Sequence, residues 1–161
     1  MAKKNRLKNC LKQIEIVEPN SNLADGFIIK AETSLGEMRT AKSKDWKITT
    51  GYYTMYQAVY SIFMKTGIKS EVHVCTIELF KKLFPEYFEE KEFNLLEKAF
   101  EARKDVSYYV NREVKDETLK EILDEAPKIL AKCKAVLLKL NEKKVNEIRN
   151  EIKNLREKNS S

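Results

Sequence analysis

The sequence predicts an all-α protein, an antiparallel helical bundle of about five helices with a long C-terminal helix. Apolar side chains recur three or four residues apart along the chain, and no segment alternates as a half-buried strand would. Only 4 glycines and 3 prolines interrupt the 161 residues, so helices can run long. Charged residues make up 35% of the chain, which suits helices with solvated outer faces. We expect residues 1–161 to form a single domain.

Apolar rows at helical spacing mark the first four helices, which cover about 3–13, 24–38, 46–66 and 71–84. The third helix carries the widest apolar row, rich in tyrosine and methionine, and we expect it to lie in the core. Capping and stop residues separate these helices: Pro19 and Asn20, then Ser43, Gly67 and Pro85.

The second half of the chain predicts two further helices. The fifth covers about 93–110 and carries Arg103 within an apolar row. The last runs from about 116 to 158 and can bend at Pro127. Its final part, 139–161, is a basic amphipathic helix. Because its basic residues interleave with glutamates, the pattern favours a solvated face over an RNA-binding one. Its apolar row is too short for an independent coiled coil, so it packs on its own bundle or on a second subunit.

Composition limits the kinds of site that the chain can hold. The cysteines Cys10, Cys75 and Cys133 are far apart and odd in number, so we expect reduced, mostly buried thiols in a cytoplasmic protein. Because His73 is the only histidine, we expect no metal site, and we expect no cofactor. No apolar run approaches the ~18 residues of a membrane span, so no membrane partner is expected. The net charge of +6 permits contact with nucleic acid without requiring it.

Three stretches, in order, resemble the HEPN family of helical bundles. Residues 51–60, GYYTMYQAVY, are similar to the family's "YYAMYHA" core helix. Residues 67–73, GIKSEVH, are similar to its linker into the next helix, and residues 102–109, ARKDVSYY, resemble its arginine-bearing helix. Order and spacing match from 22 to 136, which we define as the HEPN-like core.

The resemblance implies a bundle that forms a homodimer and often accompanies a minimal nucleotidyltransferase encoded beside it, as a toxin–antitoxin couple. Catalytic members carry an arginine followed a few residues later by a histidine, and two such helices meet across the dimer to cut RNA. Here Arg103 is present, but Tyr108 stands where the histidine would be. Arginine cannot act as the general base that this cleavage needs. The departure therefore argues against RNase activity.

Four residues are candidates for a nucleotide- or RNA-binding site. An arginine such as Arg103 on an apolar row must find an anion, either a carboxylate of the protein or a phosphate at a dimer groove. Tyr108 and Tyr109 can stack on a base or pack in an interface with satisfied hydroxyls, and the resemblance adds that such a tyrosine can receive a nucleotide from the partner enzyme. His73 can be a base or a neighbour of a helix cap, and only family analogy places it near Arg103.

Three functions remain open from the sequence. The first is a HEPN-like nucleotide- or RNA-interacting partner of a nucleotidyltransferase. The second is a metal-independent RNase toxin that uses Arg103 with His73 or Tyr108. The third is a non-catalytic structural protein in which Arg103 forms an interface ion pair. The chain carries no phosphate-binding glycine loop, no Ser/His/Asp order and no paired acidic metal motif, so an enzyme of those kinds is not expected.

Overall fold

The computed structural model describes residues 2–160, which form seven α-helices and one pair of short strands. The helices are α1 (Ala2–Gln13), α2 (Ser21–Thr40), α3 (Lys44–Thr66), α4 (His73–Leu83), α5 (Glu90–Tyr108), α6 (Asp116–Lys139) and α7 (Glu142–Lys158). Strands β1 (Glu15–Ile16) and β2 (Ile68–Lys69) pair antiparallel. The all-α helical bundle is confirmed, with seven helices where about five were predicted.

Helix α3 is the centre of the bundle and packs against α2, α5 and α6. The helix caps predicted at Asn20 and Ser43 are present in the structure. The side chain of Asn20 accepts a hydrogen bond from the Leu23 N–H at 2.9 Å and starts α2. The Ser43 hydroxyl accepts one from the Trp46 N–H at 3.1 Å and starts α3, which ends at Gly67. These caps fix where the central helices begin and end.

The prediction of one continuous C-terminal helix is wrong. Helix α6 continues through Pro127 and ends at Lys139. Asn141 starts the separate helix α7, because its side chain accepts from the Lys144 N–H at 2.9 Å and asparagine favours such a cap over a helix interior. The apolar row of α7 is buried on its own bundle through Val145, Ile148, Ile152 and Leu155.

The solvated face predicted for the basic tail is wrong for Arg149, which is half-buried. Its Nη1 donates to the backbone carbonyls of Val17, Thr66 and Gly67 at 2.8, 3.0 and 3.2 Å. Hydrogen bonds from a charged donor are stronger than those from a neutral one. These hydrogen bonds therefore join α7 to the C-terminal end of α3 and to Val17, the residue after β1.

Cys10 and Cys75 form a disulfide bond that joins α1 to α4. The prediction of three reduced thiols is thus wrong for two of them. Cys133 is free and buried, and burial raises the pKa of its thiol. The bonded pair is 65 residues apart in sequence, so only the packing of α1 on α4 brings the sulfurs together. A link of this kind stabilises the fold by restricting the unfolded chain.

The buried apolar side chains form one cluster that extends from Leu11 to Leu155. Aromatic rings fill its α4–α5 side, where the ring centroid of Phe80 lies 4.7 Å from that of Phe88 and 4.8 Å from that of Phe93. Within residues 2–160, no helix combines the length and the apolar character that crossing a membrane requires.

Candidate anion-binding site

Arg103 lies on α5 at the exposed end of that helix's buried row. The fully buried part of the row ends with Ala99, Phe100 and Ala102, and Val106 packs half-buried against the core. The helix predicted to extend to about residue 110 ends at Tyr108, and Val110 is fully exposed. Arg103 itself is half-buried, so its guanidinium lies between the core and the solvent.

The Arg103 guanidinium is surrounded by tyrosine side chains. Its Nη2 donates to the Tyr53 hydroxyl at 2.9 Å. Its Cζ lies 5.4 Å from the ring centroid of Tyr53, 5.9 Å from that of Tyr52 and 6.0 Å from that of Tyr108. Ring faces attract a cation, but they do not neutralise its charge.

No carboxylate of residues 2–160 lies within 4.0 Å of the Arg103 guanidinium. The interpretation of Arg103 as half of an ion pair with a carboxylate of its own chain is therefore wrong for the described residues. Asp105, two residues along the chain, pairs with Arg112 at 3.2 Å. A guanidinium has five N–H donors, and a single side-chain bond, to Tyr53, uses one of them. The remaining donors and the uncompensated charge suit a bound anion.

His73, the first residue of α4, lies in the same cluster. Its Nδ1 is 2.7 Å from the Tyr52 hydroxyl, and its ring stacks on that of Tyr56 with centroids 4.1 Å apart. Burial, and secondly the positive charge of Arg103, lower the pKa of His73, so its imidazole is neutral near pH 7. Tyr52 contacts both residues, and the structure thus brings His73 and Arg103 together.

The hydrogen bond to Tyr52 assigns the proton on the His73 ring. Tyr52 is 0% exposed, and burial raises the pKa of its hydroxyl, which keeps its proton. His73 Nδ1 is the side-chain partner that the structure gives this hydroxyl, so the hydroxyl donates to Nδ1. The neutral ring then carries its own proton on Nε2. At Nε2, His73 is consequently a hydrogen-bond donor and not a base.

A buried hydroxyl network holds the start of α4, and with it His73. The Tyr56 hydroxyl is 3.0 Å from Thr76 Oγ1, which donates to Ser70 Oγ at 2.8 Å. Burial raises the pKa of Tyr56 to about 12, so this hydroxyl also stays protonated. Buried polar groups that are satisfied in this way give a fixed geometry. The network therefore holds the first turn of α4, which carries His73, against α3.

Tyr108 and Tyr109 lie at the end of α5 and are 68% and 45% exposed. Tyr108 is near Arg103, whereas the ring of Tyr109 lies 3.7 Å from the guanidinium carbon of Arg112. Both tyrosines line a groove of about 500 Å³ next to the N-terminal end of α3. Of the four candidates, the structure places His73 and Tyr108 near Arg103, whereas Tyr109 lies against Arg112 on the groove.

Sequence reasoning missed the parts of Tyr52 and Tyr53 in this site, because it assigned the tyrosine-rich α3 to the core as a whole. Tyr52 does belong to the core, but its hydroxyl positions His73, and the half-buried Tyr53 binds Arg103. Because α3 is buried on most of its circumference, periodicity along it gives no signal that sets Tyr53 apart from its neighbours.

A scan against models of known protein families and a search of curated proteins find no match to this chain. The likeness to HEPN bundles therefore rests on the three sequence stretches alone.

Proposed function

We propose that this protein is a HEPN-like module that binds a nucleotide or RNA and acts with a minimal nucleotidyltransferase in a toxin–antitoxin couple. The environment of Arg103 supports this proposal. Arg103 is a half-buried cation whose hydrogen-bond partner is a neutral hydroxyl, and no carboxylate of residues 2–160 lies within 4.0 Å of it. A phosphate would satisfy its charge and its remaining donors. His73 lies in the same cluster, and its Nε2–H is a further hydrogen-bond donor there.

The proposed assembly is a homodimer in the cytoplasm. The resemblance to HEPN bundles supports the homodimer, because members of that family usually pair in this way. The Cys10–Cys75 bond argues against the cytoplasmic part of this proposal, since disulfides persist mainly in oxidising compartments.

A metal-independent RNase toxin is the second candidate, and the position of His73 beside Arg103 favours it. Cleavage requires a base near the 2′-hydroxyl and an acid for the leaving oxygen. The Nε2 of His73 already holds a proton, and one chain has no second histidine to form an acid–base pair. We therefore expect RNA to bind and to be cut feebly. The structural alternative requires that a second chain supply the carboxylate.

Titration of a fluorescent single-stranded RNA into wild type, Arg103→Ala and Lys104→Ala tests the proposal. Lys104 is a matched control, because it is the next cation on α5 and lies 4.7 Å from the ring centroid of Phe100. Losing a charge-assisted hydrogen bond costs ~1.5–3 kcal/mol, so Arg103→Ala should weaken binding by about tenfold or more. Lys104→Ala should change binding much less.

The outcome that rejects the proposal is equal binding by wild type and Arg103→Ala, with circular dichroism showing that both are folded. A cleavage assay without metal ions on the same samples separates the two candidate functions. Efficient cleavage by wild type would favour the RNase toxin and make His73→Ala the next variant.

A further inference from the structure

A groove next to Arg103 lies between the C-terminal end of α5 and the N-terminal end of α3. Its volume is about 500 Å³, and Tyr108 lines it. The ring centroid of Tyr108 is also 6.0 Å from the Arg103 guanidinium carbon, so this ring lies next to both the groove and Arg103. A ligand whose phosphate binds Arg103 would have its remaining atoms beside the groove.

The charges of the groove do not suit a second phosphate. Its two cations are paired, Lys44 with Asp116 at 2.8 Å and Arg112 with Asp105 at 3.2 Å.

Two carboxylates on the groove, Asp45 and Glu113, form no ion pair with any residue of the described range 2–160. Carboxylates accept hydrogen bonds and repel other acceptors. The groove therefore favours a group that carries N–H donors over one that carries only acceptors.

Flat aromatic surface is the second property of the groove. Tyr108 and Tyr109 are 68% and 45% exposed, which is unusual for two adjacent large side chains next to a core. The Arg112 guanidinium carbon lies 3.7 Å from the ring centroid of Tyr109, so an arginine and a tyrosine are already stacked on the groove. Aromatic rings and arginine planes stack on nucleobases, and every base has a face that suits them.

We propose, resting on the proposed function above, that this groove binds the base of the nucleotide whose phosphate is held by Arg103. We further propose that it prefers a base with an exocyclic amino group. Cytosine presents an amino donor at the position where uracil has a carbonyl oxygen. The amino group can donate to Asp45 or Glu113, whereas a carbonyl oxygen would face a carboxylate. The ligand class is thus an amino-bearing nucleotide within single-stranded RNA.

Isothermal titration of three ligands into the full chain tests this inference: CMP, UMP and ribose 5-phosphate. Base stacking should make CMP bind about tenfold more tightly than ribose 5-phosphate, which has the phosphate but no base. CMP should also bind at least about fivefold more tightly than UMP, which differs from CMP at one exocyclic group.

Two variants separate stacking from base discrimination. Tyr109→Ala should remove most of the advantage of CMP over ribose 5-phosphate. The double variant Asp45→Asn, Glu113→Gln should remove the preference for CMP over UMP and leave ribose 5-phosphate binding unchanged. All three side chains line an open groove, and circular dichroism checks that the variants fold.

Different results identify which proposal fails. If ribose 5-phosphate binds as tightly as CMP and requires Arg103, the groove proposal is overturned and the proposed function stands. If none of the three ligands binds but single-stranded RNA binds in an Arg103-dependent way, the groove proposal is overturned and the proposed function stands. If single-stranded RNA does not bind either, both proposals are overturned. If Tyr109→Ala changes the mass of the assembly in analytical ultracentrifugation but not CMP binding, the groove is an interface between copies and the inference is wrong.

Discussion

Replacing Ile122 with alanine is expected to lower the free energy of unfolding by about 2–5 kcal/mol, the largest stability effect that we predict. Ile122 is 0% exposed on α6 and contacts α3 so closely that a side chain at Gly51 would collide with it. Truncation leaves a cavity between two packed helices, and they can close it only in part. Urea unfolding followed by circular dichroism measures the loss.

The matched control is Leu138→Ala, on the same helix. Leu138 is 91% exposed, so its truncation should change the free energy of unfolding by less than about 0.5 kcal/mol. Similar losses for the two variants would contradict the packing of α6 against α3.

Replacing Gly67 with alanine is expected to lower the free energy of unfolding by about 2 kcal/mol or more. Gly67 ends α3 with a φ of 76°, in the left-handed region that disfavours residues with a Cβ. An added Cβ would also collide with the Val17 carbonyl and with the Arg149 side chain. Urea unfolding curves of wild type and variant give the difference.

The opposite sign is expected for Gly36→Ala. Gly36 is exposed within α2, and an added Cβ has no atom within 4 Å. Alanine in a helix interior is more stable than glycine by roughly 0.5–1 kcal/mol, so this variant should be slightly more stable than wild type. A Gly67→Ala variant that also gained stability would show that α3 does not end in the left-handed conformation.

Much of the fold could be predicted because its signals are local. The period of the apolar rows identified helices, and side chains such as Asn20 and Ser43 cap α2 and α3 as expected. A cap signal was also present at Asn141, but the apolar row continues across it in sequence. A prediction from periodicity alone therefore placed α6 and α7 in one continuous helix.

The features that were missed depend on contacts between distant parts of the chain. The Cys10–Cys75 bond and the pairing of Ile16 with Ile68 exist because α1 and the chain after it pack beside α3 and α4. Two-residue strands carry no periodic pattern, and cysteines far apart in sequence carry no spacing signal.

The candidate site could be predicted only in part. A lone arginine near an apolar row indicated that Arg103 needs a partner, and the structure shows a tyrosine hydroxyl there instead of a carboxylate. The proximity of His73 to Arg103 was expected by family analogy alone. The periodicity of a single helix cannot show that residues of α3, α4 and α5 meet around one ring, that of Tyr52.

The most direct test of the central claim is the NMR titration of the His73 imidazole with and without single-stranded RNA. His73 is the only histidine, so its ring gives one signal from within the candidate site. In the free protein, burial and Arg103 should hold the pKa of His73 below its ordinary value of about 6.5.

A phosphate bound between Arg103 and His73 favours the protonated ring, so saturating RNA should raise this pKa in wild type. The same RNA concentration should leave the pKa of His73 unchanged in Arg103→Ala. RNA that binds wild type without moving the pKa of His73 would contradict the account, because the anion would then lie elsewhere on the protein.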